Sequence, residues 1–222
     1  RAREQRLRRQ VLELRLEIEA ARRGIESGPP EETNLPVGHV LASRYQIVEV
    51  LGFGAMGTVY KAYDRELAEV VAVKVLRPDL LTEPAVLERF KAEVRLARRI
   101  SHPAVVRTHD FGESGGVHYL TMEYVEGITA RALVDSRGHL GVAAVLAIGT
   151  QLAEALVAAH AQGVIHRDIK PHNMLLNERG ALKVMDFGVS KLVDHTGAPT
   201  EAGMMIGTPA YMAPEQLMAA DI

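Results

Sequence analysis

The chain has 222 residues, 47% of them hydrophobic and 24% charged, with a net charge of −2 and neither cysteine nor tryptophan. This balance suits a folded chain with an aliphatic core and excludes a disordered polymer, a collagen-like repeat and a disulfide-stapled scaffold. It gives no general attraction to nucleic acid or anionic lipid, and at about 150 residues per domain it allows one to two domains.

Residues 1–23 carry eight arginines against four glutamates, a local +4. Within them Leu7, Val11, Leu14, Ile18, Ala21 and Ile25 recur at spacings of 4, 3, 4, 3 and 4, an apolar seam over 1–26. One reading is a short coiled coil that joins two chains as a homodimer; the other is a solvated amphipathic helix. Gly28, Pro29, Pro30 and Pro36 then mark a linker over 27–43.

From residue 44 the pattern turns β-rich. Strands are expected over Tyr45–Leu51, Thr58–Tyr63 and Val70–Leu76, with Gly52, Gly54 and Gly57 between the first two. A helix over Glu83–Ile100 and strands over Val105–Phe111 and Val117–Tyr124 complete a small lobe, 44–125. The run Val142–Ala161 is apolar on nearly every side, so a helix there requires burial by several neighbours. Gln151 and Glu154 interrupt it, which makes it a poor membrane span, and no cleavable leader opens the chain. Short strands at Met174–Leu176 and Leu182–Met185 follow, then a loop-like stretch to Pro214. The expected fold class is α+β: a small antiparallel lobe with one helix, then a larger, mainly helical lobe over 126–222.

Three stretches carry chemistry. Gly52-Phe53-Gly54-Ala55-Met56-Gly57 is followed by the β-branched and aromatic run Thr58–Tyr63. A dinucleotide-binding turn requires a helix at that point. A strand–turn–strand hairpin instead lays bare backbone N–H groups over a polyphosphate. In Val71-Ala72-Val73-Lys74, Lys74 shares a strand face with Ala72, and an ammonium in so apolar a strand needs an anionic partner. The alternative is an edge-strand lysine that reaches water. Glu93 falls with Val86, Phe90, Ala97 and Ile100 on one helical stripe, which makes it the expected partner. Lastly, His166-Arg167-Asp168-Ile169-Lys170-Pro171-His172-Asn173 precedes Asp186-Phe187-Gly188 and Ala213-Pro214-Glu215. Six matches to His-Arg-Asp-x-Lys-Pro-x-Asn arise by chance roughly once in tens of millions of starting points.

Over residues 44–222 these motifs resemble the protein-kinase superfamily. Lys170-Pro171, the run Gly207–Glu215 and Glu123-Tyr124-Val125-Glu126-Gly127 are similar to bacterial eukaryotic-like serine/threonine kinases. The resemblance implies a bilobal fold and transfer of the ATP γ-phosphoryl group to serine or threonine hydroxyls of protein substrates; the need for ATP and the absence of cysteine fit the cytoplasm. By that resemblance Gly52, Gly54 and Gly57 cover the phosphates, and Lys74, held by Glu93, grips two of them. Leu51, Val59, Ala72 and Leu175 sandwich adenine. The backbone at Glu123 and Val125 meets its edge, and Met122 guards the space behind. Asp186 and Asn173 hold Mg²⁺, with Mn²⁺ as a substitute; Asp168 takes or orients the hydroxyl proton, and Lys170 steadies the γ-phosphate. Arg167 docks a phosphorylated activation loop, for which Thr200 is the expected acceptor, while Thr208 hydrogen-bonds Asp168 and Lys170.

The chain stops seven residues past Glu215, and the resemblance implies further helices beyond it. The sequence is therefore expected to be a piece of a longer protein, with a C-lobe incomplete in this stretch and its solitary activity in doubt. Two other classes compete: a nucleotide-binding pseudokinase or scaffold that works through its N-terminal helix, and a small-molecule phosphotransferase of similar fold. Lys74, Glu93, Asp168, Asn173 and Asp186 are all present, against the first, and the Gly207–Glu215 run speaks against the second.

Overall fold

The computed structural model describes residues 35–54, 56–81, 83–187 and 209–217. The amphipathic segment 1–26, the first part of the linker, and Thr200 and Thr208 lie outside the described residues.

Six strands form one antiparallel sheet in the order β1-β2-β3-β4-β6-β5. They are β1 (Val40–Leu41), β2 (Tyr45–Gly54), β3 (Gly57–Asp64), β4 (Glu69–Leu76), β5 (Thr108–Ser114) and β6 (Val117–Glu123). β4 lies inside the sheet, between β3 and β6, and is covered on both faces. Val71, Val73 and Val75 join Ile47, Tyr60 and Tyr119 in an outer cluster. Ala72 and Leu76 face the other way, into a cluster with Phe90, Val94, Leu120 and Met122. Lys74, in phase with Ala72, thus points to the side on which helix α1 packs.

Helix α1 (Pro84–Ala97) starts with proline in its first turn, where the missing N–H costs nothing. It buries Val86, Phe90, Val94 and Ala97. Phe90 meets Phe111 edge-on at 5.3 Å, which ties the helix to β5. The inward stripe therefore runs through Val94, four residues after Phe90, and Glu93 sits half-buried at its margin. The helix also stops three residues short of the expected Ile100.

The second part is built on a small antiparallel sheet, β7-β8-β9, of Ile128–Thr129, Met174–Leu176 and Leu182–Val184. A short helix, α2 (Ala130–Arg137), follows β7. The Thr129 hydroxyl caps it by accepting from Ala132 N–H at 3.1 Å, and Gly138 closes it with φ +74°. Neither β7 nor α2 is announced by the sequence pattern: β7 has two residues, and α2 buries only Ala130 and Leu133.

Helix α3 (Val142–His160) has a mean hydropathy of 1.8 and is long and apolar enough, by length and composition, to cross a membrane. Here one edge of it, Ala155 and Ala159, joins the core formed by Ile128, Leu133, Met174, Leu182, Val184 and Phe187. Gln151 fastens it to the β8–β9 turn: its Oε1 accepts from Leu182 N–H at 2.9 Å and its Nε2 donates to Gly180 O at 3.3 Å. Its other faces lack the cover so apolar a helix calls for among the described residues, where Val142, Leu146 and Val157 are 76%, 65% and 70% exposed. An apolar composition sets the demand for cover, not its supply.

The two parts meet where Val105 bridges Val184 in parallel. Val184 N–H donates to Ala104 O at 2.8 Å, and Val106 N–H donates to Val184 O at 2.9 Å. On the same side Lys183 Nζ lies 2.6 Å from a carboxylate oxygen of Glu123, the last residue of β6. The two parts are thereby fastened to each other along this side.

Candidate active site

The glycine turn closes with Gly54 opposite Gly57, between β2 and β3. The three glycines do different work. Gly57 has φ +144°, and a Cβ there would run into the Val75 carbonyl, so only glycine fits. Around Gly52 nothing lies within 4 Å of where a Cβ would sit, and around Gly54 only Gly57 O at 4.0 Å. Those two keep bare backbone on an open side.

Beneath the turn, Leu51, Val59 and Val125 pack, half-buried, on the cluster that contains Ala72 and Met122. Ala72 and Met122 are opposite neighbours on β4 and β6. Leu175 is half-buried on β8, out of phase with buried Met174 and Leu176. The apolar residues expected around an adenine ring thus include five in one cluster. Glu123 directs its carboxylate to Lys183 and spends its N–H on Arg107 O at 2.9 Å.

Lys74 is 5% exposed. Its Nζ lies 2.8 Å from Asp186 Oδ1, across 112 residues of sequence. The carboxylate on the ammonium is therefore Asp186, where the stripe argument had expected Glu93. Burial alone would raise the Asp186 carboxyl pKa; the Lys74 charge and hydrogen bond outweigh it and hold the group below the usual carboxylate range. Asp186 itself has φ +59°, uncommon for a non-glycine residue.

The loop before β8 is locked by its own side chains. His166, 1% exposed, donates from Nε2 to Met185 O at 2.8 Å, and its Nδ1 accepts from Asp168 N–H at 3.2 Å. Those two roles define the neutral imidazole with its proton on Nε2. Phe187 packs edge-on against the ring at 4.6 Å. Asn173 Nδ2 donates to both the carbonyl and Oδ2 of Asp168, each at 2.9 Å, and Lys170 Nζ lies 2.8 Å from the same Oδ2. Met185 N–H donates to Asn173 O at 2.9 Å, which holds the loop against the segment bearing Asp186.

Lys74, Asp168, Lys170, Asn173 and Asp186 are thus joined by direct bonds in two linked groups, as the motif spacing requires. Arg167 lies beside Asp168, half-buried, with φ +66°. His166, although part of the motif, carries no role by spacing alone, and no pattern points to Gln216, whose amide reaches the loop from α4 (Pro214–Leu217).

The neutral histidine makes stability pH-dependent. Burial pushes the His166 pKa below its ordinary 6.5, with the Met185 carbonyl and the Asp186 and Asp168 charges pulling the other way. His109 is lowered as well, first by burial. The unfolded chain then binds more protons just below pH 6.5, so this stability is complete above that pH and is lost as pH falls toward the folded-state pKa. We expect the thermal unfolding midpoint to decline below about pH 6.5; a midpoint level from pH 8 to pH 5 would contradict this account.

The two side chains expected at the metal, Asp186 and Asn173, offer hard oxygens, one carboxylate and one amide. Among the described residues no group of three or more metal-binding side chains occurs. That set suits Mg²⁺, which commonly takes one or two protein oxygens and draws the rest of its shell from water and phosphate.

Against known proteins, residues 45–222 match the family described as protein kinase domain. Over 191 residues the chain is 40% identical to serine/threonine-protein kinase PknA of Mycobacterium tuberculosis, covering 83% of this chain and 44% of that protein. It is 41% identical over 181 residues to serine/threonine-protein kinase PknB of Mycolicibacterium smegmatis, covering 79% and 29%. The chain thus spans less than half the length of these curated relatives. Among solved structures, the Mycobacterium tuberculosis PknI kinase domain superposes with a TM-score of 0.69 at 34% identity, over 85% of this chain and 70% of that one.

Proposed function

We propose, since this chain belongs to the protein kinase family, that it transfers the γ-phosphoryl group of ATP to serine and threonine hydroxyls of proteins. The observation that carries the proposal is the set Lys74–Asp186 and Lys170–Asp168–Asn173, tied together where Met185 N–H donates to Asn173 O. Adenine would lie among Leu51, Val59, Ala72, Val125 and Leu175, with its edge toward the backbone at Glu123 and Val125 and with Met122 behind. The bare backbone at Gly52 and Gly54 would lie over the phosphates, and Lys74 would orient their oxygens.

Asp186 and Asn173 would hold Mg²⁺ (or Mn²⁺), which supplies charge neutralisation for the triphosphate. The Asp168 carboxylate would orient the acceptor hydroxyl and take its proton, held in place by Asn173. Lys170 would offset the charge that develops on the phosphoryl oxygens. The work of the chain is alignment and charge compensation. A need for ATP and the absence of cysteine fit a cytosolic location. Thr200 as autophosphorylation site, Arg167 as its docking cation, Thr208 as a ligand of Asp168, Glu93 as a second support for Lys74 and a homodimer through residues 1–26 belong to the same proposal.

Incubation of the chain with γ-labelled ATP, Mg²⁺ and a generic protein acceptor tests it. Label is expected on phosphoserine or phosphothreonine, in the acceptor and in the chain's own peptides. Label confined to small-molecule acceptors, or tight nucleotide binding with no transfer, would favour the competing classes.

A further inference from the structure

Gln216 stands on α4, 49 residues beyond the loop it touches. Its side-chain amide is held at both ends. Oε1 accepts from Ala213 N–H at 3.0 Å, and Nε2 donates to the Arg167 carbonyl at 2.7 Å. A backbone N–H only donates and a carbonyl only accepts, so this orientation of the amide is the one that satisfies both.

The carbonyl it grips has mechanical weight. Arg167 has φ +66°, a left-handed conformation that a long side chain adopts only where its surroundings enforce it. The peptide unit between Arg167 and Asp168 is restrained at both poles: its oxygen by Gln216, its N–H by His166 Nδ1 at 3.2 Å. The next unit is held through Asp168 O by Asn173 Nδ2 at 2.9 Å. Asp168 thus hangs between two clamped peptide planes. His166 and Asn173 belong to the same loop; Gln216 comes from a different part of the chain and is itself tied to Ala213.

We propose that Gln216 is a positioning residue for phosphoryl transfer. It couples the placement of the 213–217 segment to the direction of the Asp168 carboxylate, through the Arg167–Asp168 peptide plane. This inference rests on the kinase reading. When Ala213 is in place, the amide is aligned and the strained Arg167 backbone is held. When the chain leading into Ala213 shifts, the amide leaves the carbonyl and Asp168 loses one of its restraints. The aspartate thereby responds to the state of the segment that ends at Ala213.

Gln216→Glu separates the two bonds. A carboxylate still accepts from Ala213 N–H but cannot donate to Arg167 O. In the full chain we expect kcat to fall by about tenfold to a hundredfold, with the KM for ATP and the unfolding midpoint unchanged. Gln216→Met, of similar length and uncharged, should lower kcat by a similar factor. Hydrogen exchange gives a reading independent of activity: the 164–173 peptide should exchange faster in both variants, while peptides of β2–β4 stay as in the parent chain. A wild-type kcat together with unaltered exchange in Gln216→Glu overturns the inference. A parent chain that binds ATP without transferring phosphate defeats the kinase reading instead, and the exchange experiment still decides whether Gln216 holds the loop.

Discussion

Replacing Asp168 by asparagine is expected to lower phosphoryl transfer by about 10³-fold or more, with ATP affinity unchanged. The substitution keeps size and shape. It removes the only feature of the side chain that takes a proton, and it sets an amide against two donors, Lys170 Nζ at 2.8 Å and Asn173 Nδ2 at 2.9 Å. Whichever way the amide turns, just one oxygen is left for those donors and for the acceptor hydroxyl. The adenine and phosphate contacts proposed above, on the β2–β3 turn, β4, the end of β6 and β8, do not include Asp168, so a fluorescent ATP analogue should bind both proteins alike. Transfer within tenfold of the parent would remove Asp168 from the chemistry.

Asp186→Ala is expected to damage both stability and activity. Side-chain exposures of 6% for Lys74 and 29% for Asp186 place the pair largely out of water. Removing one member leaves a buried ammonium without its carboxylate, which costs about 3–5 kcal/mol. The same change removes the carboxylate proposed for Mg²⁺, so transfer should fall below detection. A double variant, Lys74→Met with Asp186→Ala, separates the two effects: replacing a buried pair by apolar groups is often neutral for folding, so denaturant unfolding should recover toward the parent while transfer stays absent. Failure of stability to recover would mean that the cleft depends on Asp186 for more than its charge.

The glycine turn, Lys74 and the His166–Asn173 loop were legible because short motifs hold all their own atoms in one place. Strand phase correctly put Lys74 with Ala72 and set Val71, Val73 and Val75 on the opposite face. The partner of Lys74 was not legible in the same way. Helical spacing brought Glu93 to the stripe, yet about a quarter of a turn decides between Glu93 and Val94, and the nearest carboxylate comes from a residue 112 positions away. Composition marked α3 as apolar but could not say which neighbours cover it. Likewise three glycines look alike in a string, although only Gly57 has a carbonyl where its Cβ would be. Gln216 was invisible because a single amide between Glu215 and Leu217 has no pattern; its meaning comes from a carbonyl 49 residues earlier.

The Lys74–Asp186 pair and the Val105–Val184 bridge also bear on how the chain acquires its shape. The strands β2, β3 and β4 are joined by short turns, as are β5 and β6, and β8 and β9, so much of each sheet can knit from near neighbours, while β6 on β4 and β7 on β8 pair across longer stretches. The contacts between the halves, from Lys183–Glu123 to Lys74–Asp186, close loops of 60 to 112 residues, and their entropic cost falls due before any reward. Docking of two preformed halves is then the slow, late event of assembly, and the cleft that holds the chemistry is the last thing to exist.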